Sequence, residues 1–171
     1  MAELLSSAAH TDVTFVVGAE HIRAHRCILI ARSEYFKGML TSGLREGQSC
    51  GEPISIGECS PEAFRSILHY LYTDQLAFDD EHVIDVMRKA KEMTLERVYN
   101  HTARHCRRKI SEENVVVWFL KADEYQLEDL RNATFQFLSR NLRAVKAKAK
   151  PTLQRLTARP ELLMEVMLEA I

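Results

Sequence analysis

The sequence predicts an α+β fold, a small sheet flanked by helices and followed by an all-helical extension. Three observations carry this expectation. Strand-like patterning is confined to the first half, chiefly at residues 13–17 and 53–56. The best helical stripe, Phe64, Ile67, Leu68, Leu71 and Tyr72, runs at i, i+3, i+4, i+7, i+8 between those strands and the rest of the chain. Beyond Asp79 only helical patterns follow.

Each element has its own reason. Residues 13–17 are β-branched and aromatic, and Gly18 follows as a turn residue, so 20–23 return as a second strand. From Ala24 to Arg32 the apolar positions Cys27, Ile28 and Ala31 suit a helix. Ser33-Glu34 interrupts that run and caps a second helix, 34–41, carrying Tyr35, Phe36, Met39 and Leu40. Residues 42–52 hold three of the six glycines and read as a loop. Pro53 to Ile56 alternates as a short strand. Ser60-Pro61-Glu62 starts the next helix, with Ser60 as N-cap, Pro61 first in the helix and Glu62 favoured by the helix dipole.

After a turn at 73–75, Leu76 to Phe78 reads as a minor strand. Asp79-Asp80-Glu81 then opens a helix bearing Val83, Ile84, Val86, Met87 and Ala90. Further helices are expected near 95–109, 112–122, 127–140, 151–157 and 161–170. Ser111-Glu112-Glu113-Asn114 serves as an N-terminal signal for the second of these. Lys146-Ala-Lys-Ala-Lys150 before Pro151 reads as a helix end and an exposed connection. No sustained repeat is apparent.

Length and composition narrow the function classes. A chain of 171 residues fits one domain, or one domain with a helical appendage. A net charge of −1 calls for neither nucleic acid nor an acidic membrane as partner. The longest apolar run, Val115 to Leu120, is too short to span a bilayer, and the N-terminus is too polar for a signal peptide. Cys27, Cys50, Cys59 and Cys106 form no CxxC pair. Few, irregularly spaced cysteines suit a reducing compartment, so cytoplasm or nucleus is expected.

Chemical constellations are sparse. His101 and His105 stand at i, i+4 with Cys106 adjacent, yet no further ligand reinforces a zinc set, and a surface helix is the expected reading. Arg104, Arg107, Arg108 and Lys109, with the basic 131–159 segment, have little aromatic interleaving. They read as a solvated face or a contact with an acidic partner. The apolar residues Leu162, Leu163, Met164, Val166, Met167, Leu168 and Ile171 are too many for a free surface helix and are expected to pack on the tail or on a second copy. No phosphate-binding glycine motif and no nucleophile elbow occurs. The expectation is a protein without catalytic activity or cofactor.

Several motifs now come together in order. Asp12 before the strand Val13–Val17, then Ala24-His25-Arg26, Ala31-Arg32-Ser33 and Phe36, Pro61-Glu62-Ala63-Phe64 and Leu68-His69-Tyr70-Leu71-Tyr72-Thr73 resemble the BTB/POZ family, whose members dimerise and act as adaptors. Leu95-Glu96-Arg97 resembles the step between that fold's last two helices. The resemblance implies a BTB/POZ domain over residues 10–110. Glu113-Asn114, Ala122-Asp123 with Leu130, and Pro160 to Glu165 resemble the three-box or short BACK extension of the speckle-type POZ group, which places that extension at 111–171.

The resemblance also implies site residues. Leu44-Arg45-Glu46 matches the hydrophobic-x-glutamate signature by which relatives recruit cullin-3, and the resemblance adds Tyr72 to the same cullin-binding set. A leucine can fill an apolar pocket while a carboxylate bonds its rim. Leu4, Leu5, Asp12, His25 and Arg26 take the places of the dimer groove, Asp12 and Arg26 as paired charges. His25, at a strand–helix junction, is expected to be a structural histidine bonding the backbone. Only eleven residues precede Asp12, fewer than the family's dimerising helix needs, and no MATH, kelch or zinc-finger region is present. The chain is then a piece of a longer protein or acts through another subunit. Two functions follow: a dimeric substrate adaptor of a cullin-3 ubiquitin ligase, or a homo-oligomerising module of a transcriptional or cytoskeletal scaffold without cullin.

Overall fold

A computed structural model describes residues 9–41 and 52–169. Strand β1 (Val13–Val17) lies at the centre of a three-stranded sheet of order β2-β1-β3. It pairs antiparallel with β2 (Glu20–Ala24), Phe15 opposite Ile22, and parallel with β3 (Ile54–Ile56), Phe15 opposite Ile54. The hairpin closes through Gly18, whose φ of 60° lies in the left-handed region that glycine adopts without a Cβ clash. Alternation does the rest: Val13, Phe15 and Val17 are buried, as are Ile54 and Ile56, while Ser55 is exposed.

Helices α1 (Arg26–Arg32), α2 (Glu34–Thr41), α3 (Pro61–Thr73) and α4 (Val83–Glu92) pack with this sheet. Phe15, Phe36 and Phe64 meet at ring-centroid distances of 5.2 to 6.4 Å in tilted or edge-on arrangements. Helix α3 begins as its sequence dictates: the Ser60 hydroxyl accepts a hydrogen bond from Ala63 N at 3.3 Å, and Pro61 occupies the first turn. It ends on Asp74, a left-handed cap with φ 60°. Arg32 clamps that end, bonding Leu71 O through Nε at 3.1 Å and pairing with the Asp74 carboxylate.

Two compact units divide the chain, through Asn100 and from His101. Helix α5 (Glu96–Lys109) contains the division. In the second unit, α6 (Val115–Glu124), α7 (Glu128–Lys148), the short α8 (Lys150–Leu153), a 3₁₀ turn (Gln154–Ala158) and α9 (Pro160–Glu169) enclose a separate core of Val115, Val116, Phe119, Leu138, Val145, Leu156, Leu162 and Val166. The architecture is the expected α+β domain followed by helices.

Several expected elements differ. Leu76 to Phe78 form no strand; after the left-handed cap at Asp74 the chain is irregular, and Leu76 and Phe78 turn their side chains into the core from it. The first helix starts at Arg26, because Ala24 is still paired with Val13. Asp79-Asp80-Glu81 precede the helix, which begins only after His82. The 112–122 helix starts at Val115: Asn114 accepts from Ser111 N at 2.9 Å and donates to Lys109 O at 2.8 Å, so its amide holds a turn. The 127–140 helix continues to Lys148 across a break at Asn141.

One local motif recurs. Ala90-Lys91-Glu92-Met93-Thr94-Leu95-Glu96 and Ala122-Asp123-Glu124-Tyr125-Gln126-Leu127-Glu128 terminate α4 and α6 identically. Leu95 N donates to Ala90 O, and Leu127 N to Ala122 O, each at 2.8 Å. Thr94 and Gln126 both stand at φ 54°, the left-handed residue of a Schellman-type end.

Candidate protein-interaction site

Four of the expected site residues, Asp12, His25, Arg26 and Tyr72, meet at the N-terminus of α1. The Asp12 carboxylate accepts from the backbone N–H of Arg26 at 2.7 Å. It therefore caps α1 from β1 across the hairpin, satisfying a donor that the helix cannot. Asp12 is exposed, so no buried charge needs matching. The Arg26 guanidinium reaches Leu40 O at 3.3 Å, tying the start of α1 to the last turn of α2. The segment that carries Leu44, Arg45 and Glu46 leaves from that turn. Those three residues, with Leu4 and Leu5, lie outside the described residues.

His25 is buried and its contacts define its tautomer. Its backbone N–H donates to the Tyr72 hydroxyl at 2.9 Å, and that hydroxyl lies 2.8 Å from His25 Nδ1. The hydroxyl proton therefore goes to Nδ1, which leaves the proton on Nε2, 2.8 Å from Ala9 O. His25 is the structural histidine expected from its position. Tyr72 is 3% exposed. Its ring packs in the core, and its hydroxyl ties α3 to the residue before α1. Burial raises the Tyr72 hydroxyl pKa, offset in part by the His25 backbone hydrogen bond.

A second polar cluster went unnoticed in the sequence. Lys89, 3% exposed, donates to Glu92 at 2.7 Å, and Tyr35 donates to the other Glu92 oxygen at 3.4 Å. Burial pushes the neighbouring Cys59 thiol up to about 11, against the pull of Lys89 and Arg88. The i, i+3 spacing of Lys89 and Glu92 was the available signal, but the burial of Lys89 is set by the fold.

In the helical unit Arg131 is the hub. It bonds Asp123 at 2.9 Å through Nε and Glu165 at 2.6 Å through Nη2, and lies 5.4 Å from the Phe119 ring centroid. Arg159 joins Asp123 at 2.9 Å and Glu161 at 2.6 Å. These bonds raise the Arg131 pKa, the Glu165 and Asp123 hydrogen bonds being the cause, and lower that of Glu161 through its Arg159 hydrogen bond. Among the described residues no three His, Cys, Asp or Glu side chains gather as metal ligands, and no helix is long and apolar enough to cross a membrane.

Comparison with known proteins agrees with this architecture. A model of the BTB/POZ domain matches residues 1–110. BTB/POZ domain-containing protein 9 of Drosophila melanogaster is 33% identical over 144 residues, covering 82% of this chain and 20% of that protein. BTB/POZ and MATH domain-containing protein 6 of Arabidopsis thaliana is 29% identical over 161 residues, covering 84% of this chain and 38% of that protein. Kelch-like protein 22 of Mus musculus is 29% identical over 130 residues, or 76% and 20%. The chain thus spans between a fifth and two fifths of the length of these relatives. A sheet that presents α1 and α2, with the family match over its whole extent, establishes that the chain belongs to the BTB/POZ domain family and is a protein-interaction module.

Proposed function

We propose that this chain is a non-catalytic adaptor, dimeric through its BTB/POZ domain, that links the cullin-3 scaffold of a ubiquitin ligase to a substrate protein, in the cytoplasm or nucleus. Ubiquitin transfer then takes place on other subunits of the ligase. The observation that carries the reading is Leu44-Arg45-Glu46, which follows α2 directly in sequence. Arg26, by holding Leu40 O, steadies the turn from which that segment departs. A leucine with a carboxylate two residues on suits an apolar pocket with a polar rim. The helical unit after the domain supports the same reading, since an extension of that kind accompanies the cullin-recruiting proteins this sequence resembles.

Titration of the cullin-3 N-terminal domain against this chain tests it. Micromolar or tighter binding is expected, weakened about tenfold or more in Leu44→Ala/Glu46→Ala. No binding by the parent chain would overturn the adaptor reading. Light scattering addresses the dimer, with Leu4→Asp/Leu5→Asp expected to shift the mass toward that of a monomer. A dimer that ignores cullin-3 would instead indicate the homo-oligomerising scaffold module.

A further inference from the structure

Residues 131 to 159 hold eight Lys and Arg and no Asp or Glu. The structure sorts these eight into two groups. Arg131, Lys148 and Arg159 face carboxylates of their own unit. Arg140, Arg143, Lys146, Lys150 and Arg155 are exposed and, among the described residues, have no ion-pair partner. Arg140 lies just before the break in α7, and Arg143 and Lys146 follow at i, i+3 after it, where like charges repel. The wider balance points the same way: from His101 on, basic side chains outnumber acidic ones 13 to 9, and before it acidic outnumber basic 15 to 10.

The helix carrying these cations is broken at Asn141, with φ −115° and ψ 17°, and the Asn141 amide donates to Phe137 O at 2.8 Å. Beside the break lies a cleft of about 470 Å³ lined in part by Asn132, Gln136, Phe137, Arg140 and Asn141. A second cleft of similar volume runs over Ser139 to Ala144. Arg140 and Asn141 border both.

The chemistry of this track selects its occupant. Primary amides both donate and accept, which suits a peptide backbone. Guanidinium groups bind carboxylates through paired hydrogen bonds. Nucleic acid fits less well: the aromatic ring is half-buried instead of offering a face for base stacking. We propose that the break at Asn141, with Arg140 and Arg143 beside it, forms a docking groove for an extended, carboxylate-rich segment of a partner protein.

Fluorescence anisotropy on the full chain tests this, with a labelled dodecapeptide of alternating Glu and Gly, its Gln counterpart, and a twelve-residue oligo-dT. The Glu peptide is expected to bind, more weakly as salt rises, and the Gln peptide not to. Arg140→Glu/Arg143→Glu should weaken binding about tenfold or more, and Arg97→Glu, a reversal elsewhere, should leave it unchanged. If the reversal variant loses its helical circular dichroism, Arg140→Gln/Arg143→Gln takes its place with a smaller loss in the same direction. The proposal is overturned if the Glu peptide fails to bind, if these variants bind it as the parent does, or if oligo-dT binds more tightly. It is equally overturned if the variants dissolve a dimer of the parent, since the groove would then hold a second copy.

Discussion

The Tyr72 hydroxyl serves two His25 groups at once, receiving the backbone N–H and facing Nδ1 at 2.8 Å. Tyr72→Phe removes both bonds without changing the packing of the ring. A buried N–H and a buried ring nitrogen are then left without partners, which costs about 1–3 kcal/mol. Urea unfolding should show that loss as a lower midpoint at unchanged slope. Cysteine chemistry separates by environment in the same unit. Cys27 is exposed, whereas Cys59 has its thiol held up to about 11 by burial. Alkylation near neutral pH should therefore modify Cys27 and spare Cys59 until the protein is denatured, as mass spectrometry of the digested chain would show. The sequence revealed His25 as structural from its place between strand and helix. It could not reveal its partner, because Tyr72 is 47 residues away and the pairing exists only once α1 and α3 pack.

At the scale of elements, the two helix ends at Thr94 and Gln126 explain a local cost. A β-branched residue at φ 54° crowds its Cβ against the backbone, where glycine would not. Thr94→Gly should raise stability by up to about 1 kcal/mol, read from thermal or urea unfolding; a loss would mean that the Thr94 side chain carries a compensating contact. The ion-pair network of the helical unit offers a second test. Glu161 has its pKa lowered by Arg159, so its contribution is present above the ordinary value of 4.5 and fades as pH falls through the lowered one. In an NMR titration the Glu161 carboxyl should move at lower pH than an unperturbed glutamate, and Arg159→Ala should raise its midpoint toward the ordinary value. Helix starts were legible where a side chain commits to a cap, as at Ser60. They were misplaced at Asp79–Glu81, where a backbone turn closed by His82 N on Asp79 O precedes the helix, and at Ser111–Asn114, where the Asn114 amide holds a turn that competes with the helix.

At the scale of the molecule, two separate cores lie behind the one chain. The first is centred on Phe15, Phe36 and Phe64, the second on Val116, Phe119 and Leu138. Phe64→Ala should cost about 3–5 kcal/mol, a large part of a typical domain's stability, and appear as a marked fall in the unfolding midpoint. Family membership was readable in the sequence because the motifs that carry it are local: a strand, a strand–helix junction and a capped helix each depend on a few neighbouring residues. The α+β class followed from the change of hydrophobic period along the chain, from two to 3.6. The tertiary structure alone decided that Tyr72 is a core residue and Leu76 to Phe78 irregular, that Lys89 is buried, and which cations are neutralised. Periodicity determines which face of an element is apolar. Long-range packing determines what that face meets, and so which polar groups remain for a partner.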